Sequence, residues 1–199
     1  MNFKTVVGFL LLLSSSVYAQ TLKVNVLGLR GAKQADKTRI NKALVLVEKV
    51  VNQKSFRDIV LNSTYTQTDL SPQAILDSIL LAQENFAGGK KQVIDLFMEM
   101  YYEVDGSIGY TYSSDPYFYM NRWYHAGYSP MQTAGNIFHE WLHKLNHEHS
   151  FEWTEDRKDS VPYKLGYLVA DMASDIESKG DPIAKQILLK SFQHDCNHH

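Results

Sequence analysis

Residues 129–149 read SPMQTAGNIFHEWLHKLNHEH, and this stretch predicts one amphipathic helix. Ser129 can accept hydrogen bonds from the free N–H groups of a first turn, and Pro130 suits that turn because it has no N–H to leave unpaired. Apolar residues then recur every three or four positions, which is the spacing of one helix face. They are Met131, Ala134, Phe138, Trp141, Leu142 and Leu145.

The histidines of the same stretch are spaced like metal ligands. His139 and His143 are four residues apart and project from one face, away from the apolar stripe. Asn146 favours the left-handed conformation that ends a helix, and His149 follows it. Three imidazoles and one open position are typical of catalytic zinc, with Glu140 placed to polarise a metal-bound water. The alternative is a solvated, histidine-rich helix end that binds no metal.

The spacing HExxHxxNxxH resembles the HExxHxxGxxH signature of the metzincin clan of zinc endopeptidases. The resemblance implies that His139, His143 and His149 bind one Zn²⁺ and that Glu140 is the general base. The sequence departs from the signature at Asn146, where the clan usually has glycine. Asparagine is the least costly replacement for glycine in the left-handed conformation. Outside this stretch the resemblance is architectural only.

Residues 1–19 have the organisation of a secretory signal peptide. Lys4 supplies a positive start, residues 6–13 are apolar, and residues 17–19 form a small-residue cleavage site. No other apolar run is long enough to cross a bilayer. The sequence therefore predicts a secreted or periplasmic mature chain, residues 20–199, with no stable membrane span. The alternative is an uncleaved anchor.

Length and composition exclude some classes of partner and indicate the number of domains. The 199 residues suffice for one domain with a sizeable core. The net charge is −2, and loss of Lys4 with the signal peptide makes it one unit more negative. With no basic patch, nucleic acid is not an expected partner. Cys196 is the only cysteine, so no intramolecular disulfide can form, which favours a bacterial export route. The sequence makes no prediction of the oligomeric state.

The hydrophobic pattern of the whole chain predicts an α/β (α+β) fold with a mixed, twisted sheet backed by helices. Strands are predicted at residues 21–29, 56–62, 92–104 and 117–124, and helices at residues 36–51, 71 to about 86, 163–178 and 181–193. This order matches the architecture of the metzincins. The resemblance thus implies a single zincin/metzincin-like catalytic domain over residues 20–199, with an upper subdomain at about 20–149 and a small helical lower subdomain at about 150–199.

The segment before the central helix is rich in aromatic residues. In the metzincins the strand that precedes the metal helix offers its free edge to an extended substrate. The resemblance therefore places Phe118 to His125 beside the substrate. The alternative is that these aromatic residues only pack the core or coat the surface.

Metzincins also carry a methionine-bearing turn beneath the zinc, and in some of them a tyrosine follows. Aligning Tyr163 with that tyrosine puts Val161 at the methionine position. Tyr163 would then reach the zinc or donate a hydrogen bond to the oxyanion formed on the scissile carbonyl. The alternative is a tyrosine at a helix start with no catalytic part. Met172 is the other candidate methionine, although its surroundings indicate a helix.

The remaining histidines are not predicted to be ligands of this site. His147 falls between the motif positions and is predicted to lie at the surface. For His125, contact with substrate is the less favoured interpretation. The C-terminal end, with His194, Cys196, His198 and His199, is predicted to be disordered, and a second metal site there is the alternative.

Together these features predict an exported, zinc-dependent endopeptidase that hydrolyses peptide or protein substrates. Zinc would activate a water molecule, and Glu140 would act as general base. One alternative is a zinc-stabilised binding module without catalysis, although such a site has no need of Glu140. A second alternative is a hydrolase of narrow specificity that acts on cell-wall peptides.

Overall fold

The structure, a computed structural model, describes residues 21–82, 84, 92–104, 106–112 and 115–178. Within these ranges the chain forms a mixed α/β fold with one four-stranded sheet and six α-helices. The strands are β1 (Lys23–Arg30), β2 (Val93–Tyr101), β3 (Gly109–Thr111) and β4 (Tyr117–Asn121). The helices are α1 (Gln34–Val51), α2 (Lys54–Asn62), α3 (Pro72–Leu81), α4 (Arg122–His125), α5 (Pro130–Lys144) and α6 (Val161–Glu177). We find no candidate for a membrane span among these helices.

The sheet has the strand order β1-β2-β4-β3. β2 pairs in parallel with both β1 and β4, whereas β3 runs antiparallel to β4. Parallel neighbours need a long crossover connection, and α1, α2 and α3 lie between β1 and β2 in the chain. The prediction of a mixed sheet with helices is therefore confirmed. The short strand β3, which the pattern did not predict, forms one edge of this sheet.

The core lies between one face of the sheet and the helices. Every second side chain of β2 is buried there, from Ile94 through Leu96 and Met98 to Met100. On α5, Phe138 and Trp141 belong to the same core. Each such side chain contributes about 1.5–3 kcal/mol to stability on burial. These contacts anchor the apolar face of α5 and leave its histidine-bearing face for a cavity.

The predicted strand at residues 56–62 is wrong, because these residues belong to α2. Phe56 and Val60 are four positions apart and fully buried, whereas Ile59 and Leu61 are exposed. Burial therefore follows the helical period of 3.6 residues and not the period of two that a half-buried strand shows. A short apolar run does not distinguish these two periods from sequence alone.

Three further boundaries differ from the prediction. α3 ends at Leu81, before the expected end near residue 86, because Ala82 adopts a left-handed conformation with φ of 48°. β4 ends at Asn121, whose side chain accepts a hydrogen bond from the backbone N–H of Trp123 and thereby starts α4. α6 begins at Val161, two residues before the predicted start. The second C-terminal helix, predicted at 181–193, lies outside the described residues, and the division into two subdomains stays a prediction.

Candidate metal centre

The central helix begins and ends as its sequence predicts. Ser129 and Gln132 form a capping box, in which the Ser129 hydroxyl accepts from the Gln132 N–H and the Gln132 side chain accepts from the Ser129 N–H. Helix α5 ends at Lys144, and Asn146 is left-handed with φ of 64°. The N–H of His147 then donates to the Leu142 carbonyl. This turn reverses the chain and brings His149 back beside the helix.

Three imidazoles meet at this reversal. His139, His143 and His149 each direct one ring nitrogen to the same place, and these three nitrogens lie within 4.8 Å of one another. The Nε2 atoms of His139 and His149 are 3.3 Å apart, and the three ring centroids are separated by 4.8–5.2 Å. Three nitrogens at this spacing are close enough to hold one metal ion. The structure thus brings together the three histidines that the spacing predicted.

The protonation states of these rings fit a cation. Burial, followed by the neighbouring histidines, holds the pKa of His139 well below its usual value. Burial likewise lowers the pKa of His149 to about 4, although a hydrogen bond to the Ser150 carbonyl opposes the shift. Both rings are therefore neutral near pH 7, which is the form that binds metals.

The outer nitrogens of two of these rings face an oxygen atom, and that of His149 is hydrogen-bonded to it. Nδ1 of His149 donates to the Ser150 carbonyl at 3.0 Å, so the lone pair of the neutral ring is on Nε2. Nδ1 of His143 lies 3.2 Å from the carboxylate of Glu148. Partners of this kind fix the tautomer and orientation of metal-binding histidines. The donor set fits a zinc ion, since zinc takes neutral imidazole nitrogens in groups of three.

Glu140 lies beside the three histidines and is only 4% exposed. The Thr111 hydroxyl of β3 donates to its Oε2 at 2.7 Å. Burial raises the pKa of Glu140, and the His143 ring and the Thr111 hydrogen bond oppose that shift. A carboxyl with a raised pKa is a stronger base when ionised, which is the property that proton abstraction needs.

A glycine on β3 permits this arrangement. A Cβ on Gly109 would lie 2.9 Å from Oε1 of Glu140 and 2.8 Å from the Tyr119 carbonyl oxygen. Any larger residue at this position would push β3 away from α5. Neither Gly109 nor Thr111 was singled out by sequence analysis, because a three-residue strand produces no periodic signal.

Tyr163 lies against the histidine cluster. Its ring centroid is 4.6 Å from that of His139 and 4.7 Å from that of His149. The catalytic part expected of Tyr163 stays a prediction. Val161, expected at the methionine position, begins α6 and is buried in the core, so the chain forms a helix here and not a tight turn. Met172 lies further along the same helix.

The close contact between α5 and α6 positions Tyr163. A Cβ on Gly166 would lie 3.0 Å from the Gly135 carbonyl oxygen and 3.1 Å from Cβ of His139. The two helices therefore meet at a point where a side chain would not fit without movement. This contact brings the first turn of α6 to the metal centre.

A cavity of about 500 Å³ opens beside the cluster. Its walls come from β3, α5, the loop after α5 and the first turns of α6. Glu140 and the three histidines line it, and so do Arg157 and Trp153, which sequence analysis did not identify. The size is that of a ligand or peptide side-chain pocket.

The expected role of Phe118 to His125 at the cavity is wrong. β4 pairs with β2 on one side and with β3 on the other, so it has no free edge. Phe118 and His125 are buried, and none of residues 118–125 lines the cavity. The edge that borders the cavity belongs to β3. The prediction failed because the strand that covers β4 was not recognised.

His147 is not a surface residue, contrary to the prediction. It is 3% exposed, and its Nε2 lies 2.8 Å from the Ser78 hydroxyl of α3. Burial lowers its pKa to about 4. This neutral histidine joins the turn after α5 to α3 and thereby supports His149. The C-terminal His194, Cys196, His198 and His199 lie outside the described residues.

Comparison with protein-family models, with curated proteins and with solved structures finds no match for this chain. The chemistry of the histidine cluster and of its cavity is therefore the basis for a functional assignment. Three clustered imidazoles, one buried carboxylate and an adjoining cavity are the parts from which that assignment is made.

Proposed function

We propose that the mature chain is an exported, zinc-dependent endopeptidase of the metzincin type. One observation carries the proposal: three imidazoles that can bind one metal ion lie beside a buried carboxylate, at the wall of a cavity. A purely structural zinc site is closed by four protein ligands and has no use for an adjacent base. Three ligands with a base beside them are typical of hydrolytic centres.

The residues of this chain have separate tasks in such a reaction. His139, His143 and His149 would hold the zinc, which would polarise the scissile carbonyl and lower the pKa of water. Oε2 of Glu140 is held by Thr111, so Oε1 accepts the proton of the attacking water. The same oxygen then delivers the proton to the leaving amine. Burial of Glu140 strengthens its basicity and excludes competing water.

The edge strand β3 supports a peptide as the substrate. Among the described residues it pairs only with β4, so its other backbone edge can pair with an extended chain. Residues 109–111 form both this edge and part of the cavity wall. A peptide that extended the sheet here would pass beside Glu140. An internal peptide bond of the substrate must occupy this position to be cleaved.

The test is casein cleavage by residues 20–199 with one equivalent of zinc, compared with Glu140→Gln. General base catalysis contributes roughly 10²–10⁴-fold, so the variant is expected to lose at least a hundredfold in rate while it still binds one zinc. His143→Ala is expected to lose both zinc and activity. A zinc-loaded Glu140→Gln protein that cleaves at the wild-type rate would refute the mechanism. A folded, zinc-loaded wild type without activity would favour a binding module or a hydrolase of narrow specificity.

The proposed export has a separate test. Expression of the full sequence in a bacterium, followed by mass analysis of the purified protein, is expected to show cleavage between Ala19 and Gln20 and recovery outside the cytoplasm. An uncleaved chain that remains with the membrane fraction would contradict the signal-peptide assignment.

A further inference from the structure

The cavity contains one cation that the proposed reaction does not use. Arg157 begins a short 3-10 helix, Arg157–Asp159, and lines the cavity. Its guanidinium lies 4.9 Å from the Tyr163 ring centroid and 5.5 Å from that of Trp153. Nη1 donates to the Phe151 carbonyl at 3.0 Å. Two aromatic faces and a carbonyl thus hold the side chain in a defined orientation.

The charge of Arg157 has no carboxylate partner among the described residues. Two acidic residues next to it in the sequence are paired with lysines: Glu155 lies 3.3 Å from Lys158, and Asp159 lies 2.8 Å from Lys164. Nε of Arg157 is buried and has no hydrogen-bond partner among the described residues, so a ligand in the cavity would meet the terminal nitrogens of the guanidinium. The planar, charged fork of a guanidinium matches the geometry of a carboxylate.

The position of Arg157 relates it to the metal centre. The Tyr163 ring that the guanidinium covers is the ring that packs against His139 and His149. Arg157 lies on the α6 side of the cluster, whereas β3 and Thr111 lie on the Glu140 side. A peptide in the cleft would therefore present a nearby group to Arg157.

We propose that Arg157 binds a carboxylate of the peptide, so that the substrates of this site carry an acidic group within a few residues of the scissile bond. The inference rests on the proposed function, because it names the substrate class of the same cleft. The carboxylate is supplied either by an aspartate or glutamate side chain or by the C-terminus of the peptide. Both sources have the same planar, anionic chemistry, and an experiment can separate them.

Binding tests the inference without turnover. Zinc-loaded Glu140→Gln protein is titrated with peptide pairs that differ only by Asp and Asn at one position, scanned along the peptide. Each peptide is made with a free and with an amidated C-terminus. Trp153 fluorescence reports binding, since this ring lies beside Arg157. One acidic position, or the free C-terminus, is expected to tighten binding by about tenfold or more, as a charge-assisted pair does in a partly buried site.

Variants of the arginine identify the residue that is responsible. Arg157→Met, added to Glu140→Gln, keeps much of the packing on Tyr163 and is expected to abolish the preference for the acidic peptide. Arg157→Lys is expected to retain part of that preference, because charge remains and the planar fork is lost. Arg30→Met is the matched control, since Arg30 also lies over a tyrosine ring, 4.2 Å from the Tyr117 centroid, and does not line the cavity. Zinc content and circular dichroism show that each variant is folded.

Two binding results would overturn the inference. One is equal affinity for every acidic and neutral pair, and the other is a preference that survives in a folded Arg157→Met protein. Failure of the proposed function has a different signature: the wild type would not cleave any peptide, yet the Arg157-dependent preference would remain in binding. Cleavage of acidic and neutral peptides at equal rates would refute the acidic subsite and leave the endopeptidase intact.

Discussion

Replacing Gly166 with alanine tests whether the contact between α5 and α6 positions the metal centre. The added Cβ would lie 3.0 Å from the Gly135 carbonyl oxygen and 3.1 Å from Cβ of His139. Ordinary contacts of this kind are longer by a few tenths of an ångström. Neither neighbour is the end of a flexible side chain, so the helices themselves must separate. The displaced atom on α5 belongs to His139, one of the three histidines proposed to bind zinc.

Two opposing effects decide the magnitude. Alanine in a helix interior is favoured over glycine by about 1 kcal/mol. Overpacking of a close contact costs about 1–3 kcal/mol. We expect the second effect to win, because two contacts are too short at once, and the net loss of unfolding free energy is up to ~2 kcal/mol. For a domain of this size the melting temperature should fall by up to roughly 8 °C.

The assay is calorimetric unfolding of the metal-free and zinc-loaded proteins, together with zinc affinity from chelator competition. Movement of His139 is expected to weaken zinc binding by about tenfold, comparable to the loss of a group that orients a ligand. Gly127→Ala is the matched control, because its Cβ would meet only the Tyr124 carbonyl oxygen, at 3.8 Å. A Gly166→Ala protein that melts at or above the wild-type temperature and keeps its zinc affinity would refute the reasoning.

Three further substitutions probe groups around the site. Thr111→Val removes the hydrogen-bond donor to Glu140. We expect kcat/KM to fall about tenfold. We also expect the acid limb of the pH–rate profile to move to higher pH, because the carboxylate loses a stabilising hydrogen bond. An unchanged profile would argue against this role. Glu84→Gln tests a carboxyl whose pKa burial raises to about 7. Above pH 4.5 the folded protein keeps a proton on Glu84 that the unfolded chain has lost. Between pH 5 and 8 the unfolding free energy of the wild type should therefore decline by up to ~3 kcal/mol relative to that of the variant, as measured by urea unfolding. Equal pH dependence in both proteins would contradict that account. Lys144→Met removes a buried ammonium that donates to three carbonyls within residues 112–117, and a loss of ~3 kcal/mol in the same assay is expected. A loss below ~1 kcal/mol would show that these contacts contribute little.

The metal centre was predictable because its determinants are local. The capping box of α5, the spacing of His139 and His143, and the left-handed Asn146 all lie within one continuous stretch. Helix periodicity and turn preferences act over a few residues, so the sequence contains them directly. Strand β2, in which every second residue is apolar and buried, was predictable for the same reason.

The surroundings of the centre were not predictable, because distant contacts determine them. The hydrogen bond between Ser78 and His147 joins positions 69 residues apart, and a histidine by itself resembles any surface histidine. Thr111 reaches Glu140 only because β3 pairs with β4 and packs on α5. Arg157 was not identified because its significance depends on rings brought together by folding. Tertiary placement, not local preference, selects these residues.

The ligands His139 and His149 are only ten positions apart in the chain. Closing a loop of this length takes roughly 10–100 ns and costs little entropy. By contrast, the contact between Asn25 and Asp95 that ties β1 to β2 must close a separation of 70 residues. Assembly of the histidine cluster is thus a local event, and its loop closure is separate from the long-range pairing of the sheet.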